Sequence, residues 1–159
     1  MIDVGVNIAS DTDPMPYFTA PEALPMEKMD AVILTHAHLD HAGMLPVLFR
    51  YGYRGPVYCT PPTRDMMLLL QSDYLKVGGA EGKRAPYDME DIRTCMRHVV
   101  DVDWGQTVDI APDIKLTFHN AGHILGSSSV HLHVGDGKHN IVFSGDQKYE
   151  KSWLFDAAN

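Results

Sequence analysis

The first third of the chain alternates short apolar runs with turns rich in proline and glycine. Residues 2–8 and 31–35 combine apolar and β-branched side chains, which predicts two short strands. The segment between them predicts an irregular connection, because four prolines interrupt it: Pro14, Pro16, Pro21 and Pro25. Residues 43–51 predict a short helix, and residues 56–59 predict another strand.

The middle of the chain has the spacing of two helices. Thr60 is a suitable N-cap for the first, because two prolines that suit a first helical turn follow it. The residues expected on the buried face of this helix are Met66, Met67, Leu69, Leu70 and Tyr74. The residues expected to end it are Gly78, Gly79 and Gly82. Asp88 predicts the start of a second helix, whose apolar residues are Met89, Ile92 and Met96.

The last third of the chain predicts β-structure. Four segments alternate or run apolar with β-branched residues, namely 106–110, 114–120, 128–134 and 140–144. Glycines at 135 and 137 flank Asp136 and predict a tight hairpin between the last two. Strands followed by helices and then by hairpins predict an α+β fold with helices packed on a sheet.

Composition limits the classes of protein that this chain can represent. A chain of 159 residues with 45% hydrophobic and 21% charged residues predicts one globular domain. The net charge of -8 excludes a general electrostatic attraction for nucleic acid. No apolar run reaches the roughly 20 residues of a membrane span, and the N-terminus does not resemble a secretion signal. Cys59 and Cys95 lie far apart, so no disulfide framework is expected and a cytoplasmic protein is predicted.

Residues 36–41 read His-Ala-His-Leu-Asp-His and place four potential metal ligands within six positions. On an extended segment His36 and His38 face the same way, so their imidazoles can converge on one cation. A turn after His38 would direct Asp40 and His41 to a second cation, at the roughly 3.5–4 Å separation of paired-metal sites. An ordinary polar turn is the alternative, but such a turn rarely gathers four potential ligands in six positions.

Two further candidate ligands follow predicted strands and lie beside glycine. They are His123, after Gly122, and Asp146, after Gly145. Imidazole and carboxylate ligands without thiolate suit zinc, manganese or iron, and zinc is the best single choice.

Other polar residues have less specific patterns. His131 and His133 share a strand face but are expected to be ordinary strand residues, because no carboxylate or turn accompanies them. His98, His119 and His139 are isolated along the chain and predict only hydrogen-bonded or solvated side chains. Lys148 suits a phosphate contact or a solvated surface position equally well.

These motifs, in this order, resemble the metallo-β-lactamase fold. Residues 36–41, His123 and Asp146 are similar to its second, third and fourth motifs, and residues 2–7 to its first. Residues 34–43, 55–64 and 118–127 together resemble the β-CASP nucleases, especially the archaeal members related to the cleavage and polyadenylation specificity factor.

The resemblance implies an RNA endonuclease with two zinc ions, with 5′–3′ exonuclease action as a further activity. The resemblance implies that His36, His38 and His123 hold one zinc. It also implies that Asp40 and His41 hold the other zinc and that Asp146 bridges the two. It assigns catalytic roles to Asp40, His123 and Asp146, whereas Asp3 supports the site from outside. RNA is the implied partner, and a homodimer of the full-length protein is compatible with the resemblance.

The chain also departs from the family pattern. By the resemblance, we expect residues 1–159 to lack the β-CASP insertion, the histidine beyond it that completes the second zinc site, and the KH domains of the archaeal members. We therefore expect residues 1–159 to be a partial metallo-β-lactamase domain, an incomplete αββα sandwich with an incomplete second zinc site. Two alternatives remain: a hydrolase of a small thioester or lactone, and a metal-binding piece that is inactive by itself.

Overall fold

A computed structural model of the chain describes residues 1–7, 15–16, 25–82, 85–135 and 137–159. Within these ranges, seven strands form two sheets and four α-helices lie between strands of the first sheet. The first sheet is parallel and contains β1 (Val32–Ile33), β2 (Val57–Cys59) and β3 (Val99–Asp101) in that order. Parallel neighbours require crossover connections, and the helices of this chain lie in those connections.

The first crossover contains α1 (Leu39–Ala42) and α2 (Leu45–Arg50), and the second contains α3 (Pro61–Ala80) and α4 (Met89–Met96). Both predicted N-caps of the second crossover are confirmed. Thr60 accepts a hydrogen bond from the backbone of Thr63, and Asp88 forms a capping box with Asp91.

The second sheet is antiparallel and follows the predicted hairpins. Its strands are β4 (Thr107–Ala111), β5 (Ile114–Asn120), β6 (Ser128–Val134) and β7 (His139–Phe143), paired in chain order. Asp136, the centre of the predicted tight turn, lies outside the described residues.

Alternating side chains of the first sheet separate the apolar core into two clusters. Val32 and Leu34 pack among residues of all four helices, whereas Ile33 packs with Phe118 and Val130 of the second sheet. Helices, first sheet and second sheet thus form three successive layers. The mixed α/β architecture agrees with the predicted fold class, and these are three of the four layers of the expected sandwich.

The N-terminal segment is less regular than predicted. Among residues 1–7 only Ile2 forms a bridge, which pairs it with Ile33, and Ile8 lies outside the described residues. The amides of Val4 and Val6 donate instead to carbonyls of α1. Of the four prolines in the predicted connection, Pro14 and Pro21 lie outside the described residues, and Pro25 precedes a 3-10 turn at Met26–Lys28.

Some predicted helix features are wrong. The helix predicted at 43–51 is confirmed as α2, whereas the short helix α1 before it was not predicted. The predicted end of α3 is wrong, because α3 continues through Gly78 and Gly79 to Ala80. Leu69 was expected in the core but is 68% exposed, because the buried stripe of α3 follows Thr63, Met67 and Gln71 on the opposite side.

Two further differences concern α4 and the strand after it. Met89, expected on the apolar face of α4, is exposed. The strand β3 was not predicted, since its three residues are too short to show a period.

None of the helices among the described residues combines the length and the apolar character that crossing a membrane requires.

Candidate metal centre

The predicted ligands meet at one edge of the stacked sheets. His36 and His38 follow β1, His123 lies in the loop between β5 and β6, and Asp146 follows β7. Strands β5 and β7 run in the same direction, so both deliver the chain to the same edge. The amide of Ser128 donates to the carbonyl of Thr35 at 2.8 Å, which ties the second sheet to the end of β1.

Four side chains of this edge converge with metal-ligand chemistry. One donor atom from each of His36, His38, His123 and Asp146 lies within 4.8 Å of the others. The Nδ1 atom of His38 is 3.1 Å from Nε2 of His36 and 3.2 Å from Nε2 of His123. Three imidazole nitrogens therefore surround one point, with a carboxylate beside them.

A second group lies against the first on α1. The Nε2 atom of His41 is 3.8 Å from the carboxylate of Asp40 and 3.5 Å from Oδ1 of Asp146. The other oxygen of Asp146, Oδ2, is 3.5 Å from Nε2 of His123. Asp146 thus presents one oxygen to each group, and the turn predicted after His38 is the helix α1.

Asp3 connects the two groups from outside. Its carboxylate accepts hydrogen bonds from the amide and the hydroxyl of Thr35, each at 2.8 Å, and from Nδ1 of His41 at 2.8 Å. Asp3 has a φ of 55°, in the left-handed region that few residues other than glycine and a small set of polar residues adopt. Its strained backbone is held where the carboxylate reaches both partners.

These contacts select the tautomer of two imidazoles. The single hydroxyl proton of Thr35 is donated to Asp3, so Thr35 accepts the Nδ1–H of His36 at 2.9 Å. The Nδ1–H of His41 is likewise donated to Asp3. When neutral, each ring therefore turns an Nε2 lone pair toward the cluster, which is the form that binds a cation.

Burial and hydrogen bonding separate the pKa values of the cluster. Burial, reinforced by the neighbouring imidazoles, lowers the pKa of His36 to about 4. Burial also lowers the pKa of His123, whereas the hydrogen bond to Asp3 raises the pKa of His41. His36 is thus neutral near pH 7 and ready to donate its lone pair.

The loop that carries His123 and the turn that carries Asp146 are fixed by small residues. The amides of His123 and Ile124 donate to the hydroxyl of Ser127, at 3.0 and 3.1 Å. Gly145 has a φ of 57°, and a Cβ there would approach Cβ of Thr35 to 2.8 Å. A larger residue would displace the turn that leads into Asp146.

Thr35 and Ser127 were not singled out by the sequence. Both are short polar residues at the end of a strand or in a turn, and nothing in a single sequence distinguishes them from other such residues. Only the distances to Asp3 and His123 show that they hold the candidate ligands in place.

Four of the other five histidines have local partners among the described residues. His131 and His133 stack with ring centroids 3.9 Å apart, and they contact Asn140 and Thr117 respectively. His98 contacts the carbonyl of Thr94 at 2.9 Å. The partner found for His119 is the ring of His131, and His139 is exposed.

Lys148 and the two cysteines lie apart from this chemistry. Lys148 is exposed, and its backbone pairs with Ala121 beside the His123 loop. Cys59 and Cys95 are free and buried, as expected of a chain without a disulfide framework.

The donor set matches a divalent transition metal. Three imidazoles and a carboxylate suit zinc, and His36 is fully buried in the neutral form that metal binding needs. His41 with Asp40 and Asp146 supplies a second, more exposed set. The residues therefore fit one closed metal position and one open position next to it.

Comparison with known proteins agrees with this geometry. The whole chain, residues 1–159, matches the family model described as the metallo-beta-lactamase superfamily domain. It is 59% identical over 158 residues to a Methanosarcina mazei protein named transcription termination factor FttA, and 56% identical to the Methanocaldococcus jannaschii protein of that name. Each match covers 99% of this chain and 25% of the relative, so the chain spans about a quarter of their length.

One solved structure supports the fold. A metallo-beta-lactamase from Cronobacter sakazakii, a variant in its HARLDQ motif, superimposes with a TM-score of 0.53 at 22% sequence identity. The match covers 77% of this chain and 45% of that chain. At this identity the likeness concerns the fold alone.

The lowered pKa of His36 predicts an acid-sensitive metal-free protein. The unfolded chain protonates His36 as the pH falls through 6.5, but the folded chain does so only near 4. Stability that is present above pH 6.5 is therefore lost on the way to about pH 4. His41, with a raised pKa, acts oppositely and loses its contribution as the pH rises above 6.5. Urea unfolding in EDTA should show a smaller loss between pH 6.5 and 4.5 in His36→Gln than in the parent. An equal loss of stability in His36→Gln and in the parent would contradict the role of His36. His139→Gln, at an exposed histidine, is the control.

Asp3→Ala should weaken zinc binding by roughly 10–100-fold, the usual effect of removing a partner that orients a ligand. The reason is that His41 and Thr35 lose their common acceptor. Competition with a chromophoric chelator measures the affinity, and Asp30→Ala, which removes an exposed carboxylate near the same strand, is the matched control. Unchanged zinc affinity in Asp3→Ala would exclude this role.

Proposed function

This chain belongs to the metallo-beta-lactamase superfamily, and we propose that it contains the metal centre of a zinc-dependent ribonuclease. The superfamily expected from the sequence motifs is thereby confirmed. The observation that supports the proposal most is the convergence of His36, His38, His123 and Asp146, with His41 and Asp40 next to them. A paired-metal centre of this composition suits phosphodiester hydrolysis.

The assignment to RNA has two supports. The motifs around the ligands resemble those of β-CASP nucleases, and the matched relatives are named transcription termination factors. We infer endonuclease action, with 5′–3′ exonuclease action as a further activity of the full-length protein. The expected absence of the β-CASP and KH domains from residues 1–159, the cytoplasmic location and the homodimer stay predictions.

The proposed ligand assignment follows the two groups. His36, His38 and His123 hold one zinc, Asp40 and His41 hold the other, and Asp146 reaches both. Bound zinc supplies Lewis-acid polarisation of the phosphodiester and a lowered pKa of the attacking water.

The side chains have distinct tasks in this reaction. Asp3 keeps the Nε2 lone pairs of His36 and His41 directed into the centre, by direct contact with His41 and through Thr35 for His36. Asp40 and Asp146 are each more than a third exposed, so they can reach the attacking water and accept its proton. His123 lies beside Asp146 on the other side of the centre.

The surface of this chain does not attract RNA as a whole. With a net charge of -8, long-range attraction for a polyanion is absent, so binding must come from local contacts at the centre and from other parts of a longer protein. The proposal therefore assigns metal binding to this chain and substrate positioning largely to the remainder of a protein of the relatives' length.

Zinc affinities of the two positions should be unequal. One position has three imidazoles around a buried histidine, whereas the other has one imidazole and exposed carboxylates. After extensive dialysis, metal analysis of this chain should find about one zinc per chain, with a second bound more weakly. His36→Ala should remove the tight zinc and His139→Ala should not. Two equally tight zinc ions, or none, would contradict the ligand assignment.

Cleavage of RNA should depend on both the ligands and the longer protein. A polypeptide of the relatives' length that contains this chain should cleave labelled single-stranded RNA with added zinc, and this chain alone should be slower by several powers of ten. The reason is that positioning of reactants supplies about 7–11 kcal/mol of barrier reduction. Asp40→Ala and His123→Ala in the long protein should abolish cleavage, at one stated salt concentration.

Controls separate this proposal from its alternatives. Asp109→Ala removes an exposed carboxylate of β4 and should leave cleavage unchanged. Ligand variants that retain full activity would exclude the catalytic assignment. Hydrolysis of a thioester or a lactone by the long protein, without RNA cleavage, would establish the small-molecule alternative instead.

A further inference from the structure

Helix α3 contacts both segments that contain the candidate ligands. Near its N-terminus it contacts the loop of His123, and about two turns later it contacts the end of α1, which contains Asp40 and His41. The two contacts join residues that are more than 28 positions apart in the chain. Both are hydrogen bonds to backbone carbonyls, so they position the backbone of the two ligand segments.

The contact with the His123 loop is made through Gly126. The hydroxyls of Thr60 and Thr63 lie 2.7 and 3.1 Å from the carbonyl oxygen of Gly126, and Thr63 is fully buried. Gly126 has a φ of 79°, and a Cβ there would lie 2.7 Å from the hydroxyl of Thr60. The loop therefore packs against the first turn of α3 at Gly126, which lies three residues after His123.

The contact with α1 is made through Gln71. Its side-chain amide donates to the carbonyl of Ala42 at 2.8 Å, and the residue is fully buried. Ala42 is the last residue of α1, directly after His41. The other amide atom, Oε1, finds no partner among the described residues. A buried glutamine with one unsatisfied oxygen lowers the stability of the fold, whereas an apolar side chain at this position on the buried face of α3 would not.

We propose that α3 is the rigid spacer that sets the separation of the two ligand segments, with Thr63 and Gln71 as its positioning residues. The inference rests on the proposed zinc centre, because the separation matters only if His123 and His41 serve a common site. A helix is stiff over two turns, so it fixes the Gly126 loop relative to Ala42. Neither residue touches the ligand side chains themselves.

Two isosteric variants test the spacer. Thr63→Val removes the bonds of the Thr63 hydroxyl to Gly126 and Thr60, and Gln71→Met removes the bond to Ala42, both with little change in volume. Each should weaken zinc binding about tenfold, the lower end of the effect of contacts that orient ligands. Thr63→Ser keeps the hydroxyl and should restore the parent affinity. Ser72→Ala is the matched control, since the Ser72 hydroxyl bonds only within α3.

The double variant distinguishes a spacer from two local supports. In a spacer, loss of the Gln71 contact with Ala42 already uncouples the two segments. Adding Thr63→Val to Gln71→Met should therefore weaken zinc binding little more than Gln71→Met alone. Independent supports would multiply to about a hundredfold loss. Zinc affinity is measured by chelator competition with this chain, and urea midpoints without metal report stability separately.

The outcomes separate this inference from the function on which it rests. Zinc binding by the parent, with parent-like affinity in both single variants, would overturn the spacer and leave the zinc centre intact. Multiplicative losses in the double variant would overturn it as well. Absence of zinc binding in the parent would overturn both. If Thr63→Val does not fold, Gln71→Met alone decides, because it tests the other end of the same helix.

Discussion

The carboxylate of Asp3 is the interaction on which the geometry of the centre depends. It accepts from the Thr35 amide, from the Thr35 hydroxyl and from the imidazole of His41. Through these bonds it determines which nitrogen of His36 and which nitrogen of His41 faces the cluster. An ionised carboxylate has no proton to donate, so Thr35 and His41 must be the donors in their bonds to Asp3. Because the Thr35 hydroxyl donates to Asp3, it must accept in its bond with His36.

That carboxylate is placed by the fold rather than by its neighbours in sequence. Ile2 bridges to Ile33, and the amides of Val4 and Val6 donate to the carbonyls of His41 and Leu39 at 2.6 and 2.8 Å. The N-terminal segment is thus bonded to β1 on one side of Asp3 and to α1 on the other. A left-handed φ at Asp3, which costs about 1 kcal/mol, is maintained because both sides of it are held.

The sequence predicted the parts of the centre that depend on local spacing. Residues 36–41 were identifiable because their ligands lie within six positions, and His123 and Asp146 because each follows a strand beside a glycine. The hydrogen bonds of Thr35, Thr63 and Gln71 were not predictable, because they depend on distances between residues that are remote in the chain. Likewise, Leu69 was assigned to the core from its apolarity, although the buried stripe of α3 includes the polar Thr63 and Gln71. The metal-binding and catalytic roles of the ligands stay predictions.

The electrostatics of the centre give the proposed zinc ions a second role besides Lewis-acid chemistry. Asp3, Asp40 and Asp146 place three carboxylates around imidazoles of which His36 is neutral, in a chain that is already acidic. Without metal, a phosphodiester that approaches this edge is repelled both by the three nearby carboxylates and by the net negative charge of the chain. Two divalent cations carry more positive charge than the three carboxylates carry negative charge, so they reverse the local sign. Under the proposed function, the same cations would therefore bind the phosphodiester and polarise it, and metal occupancy would control both steps.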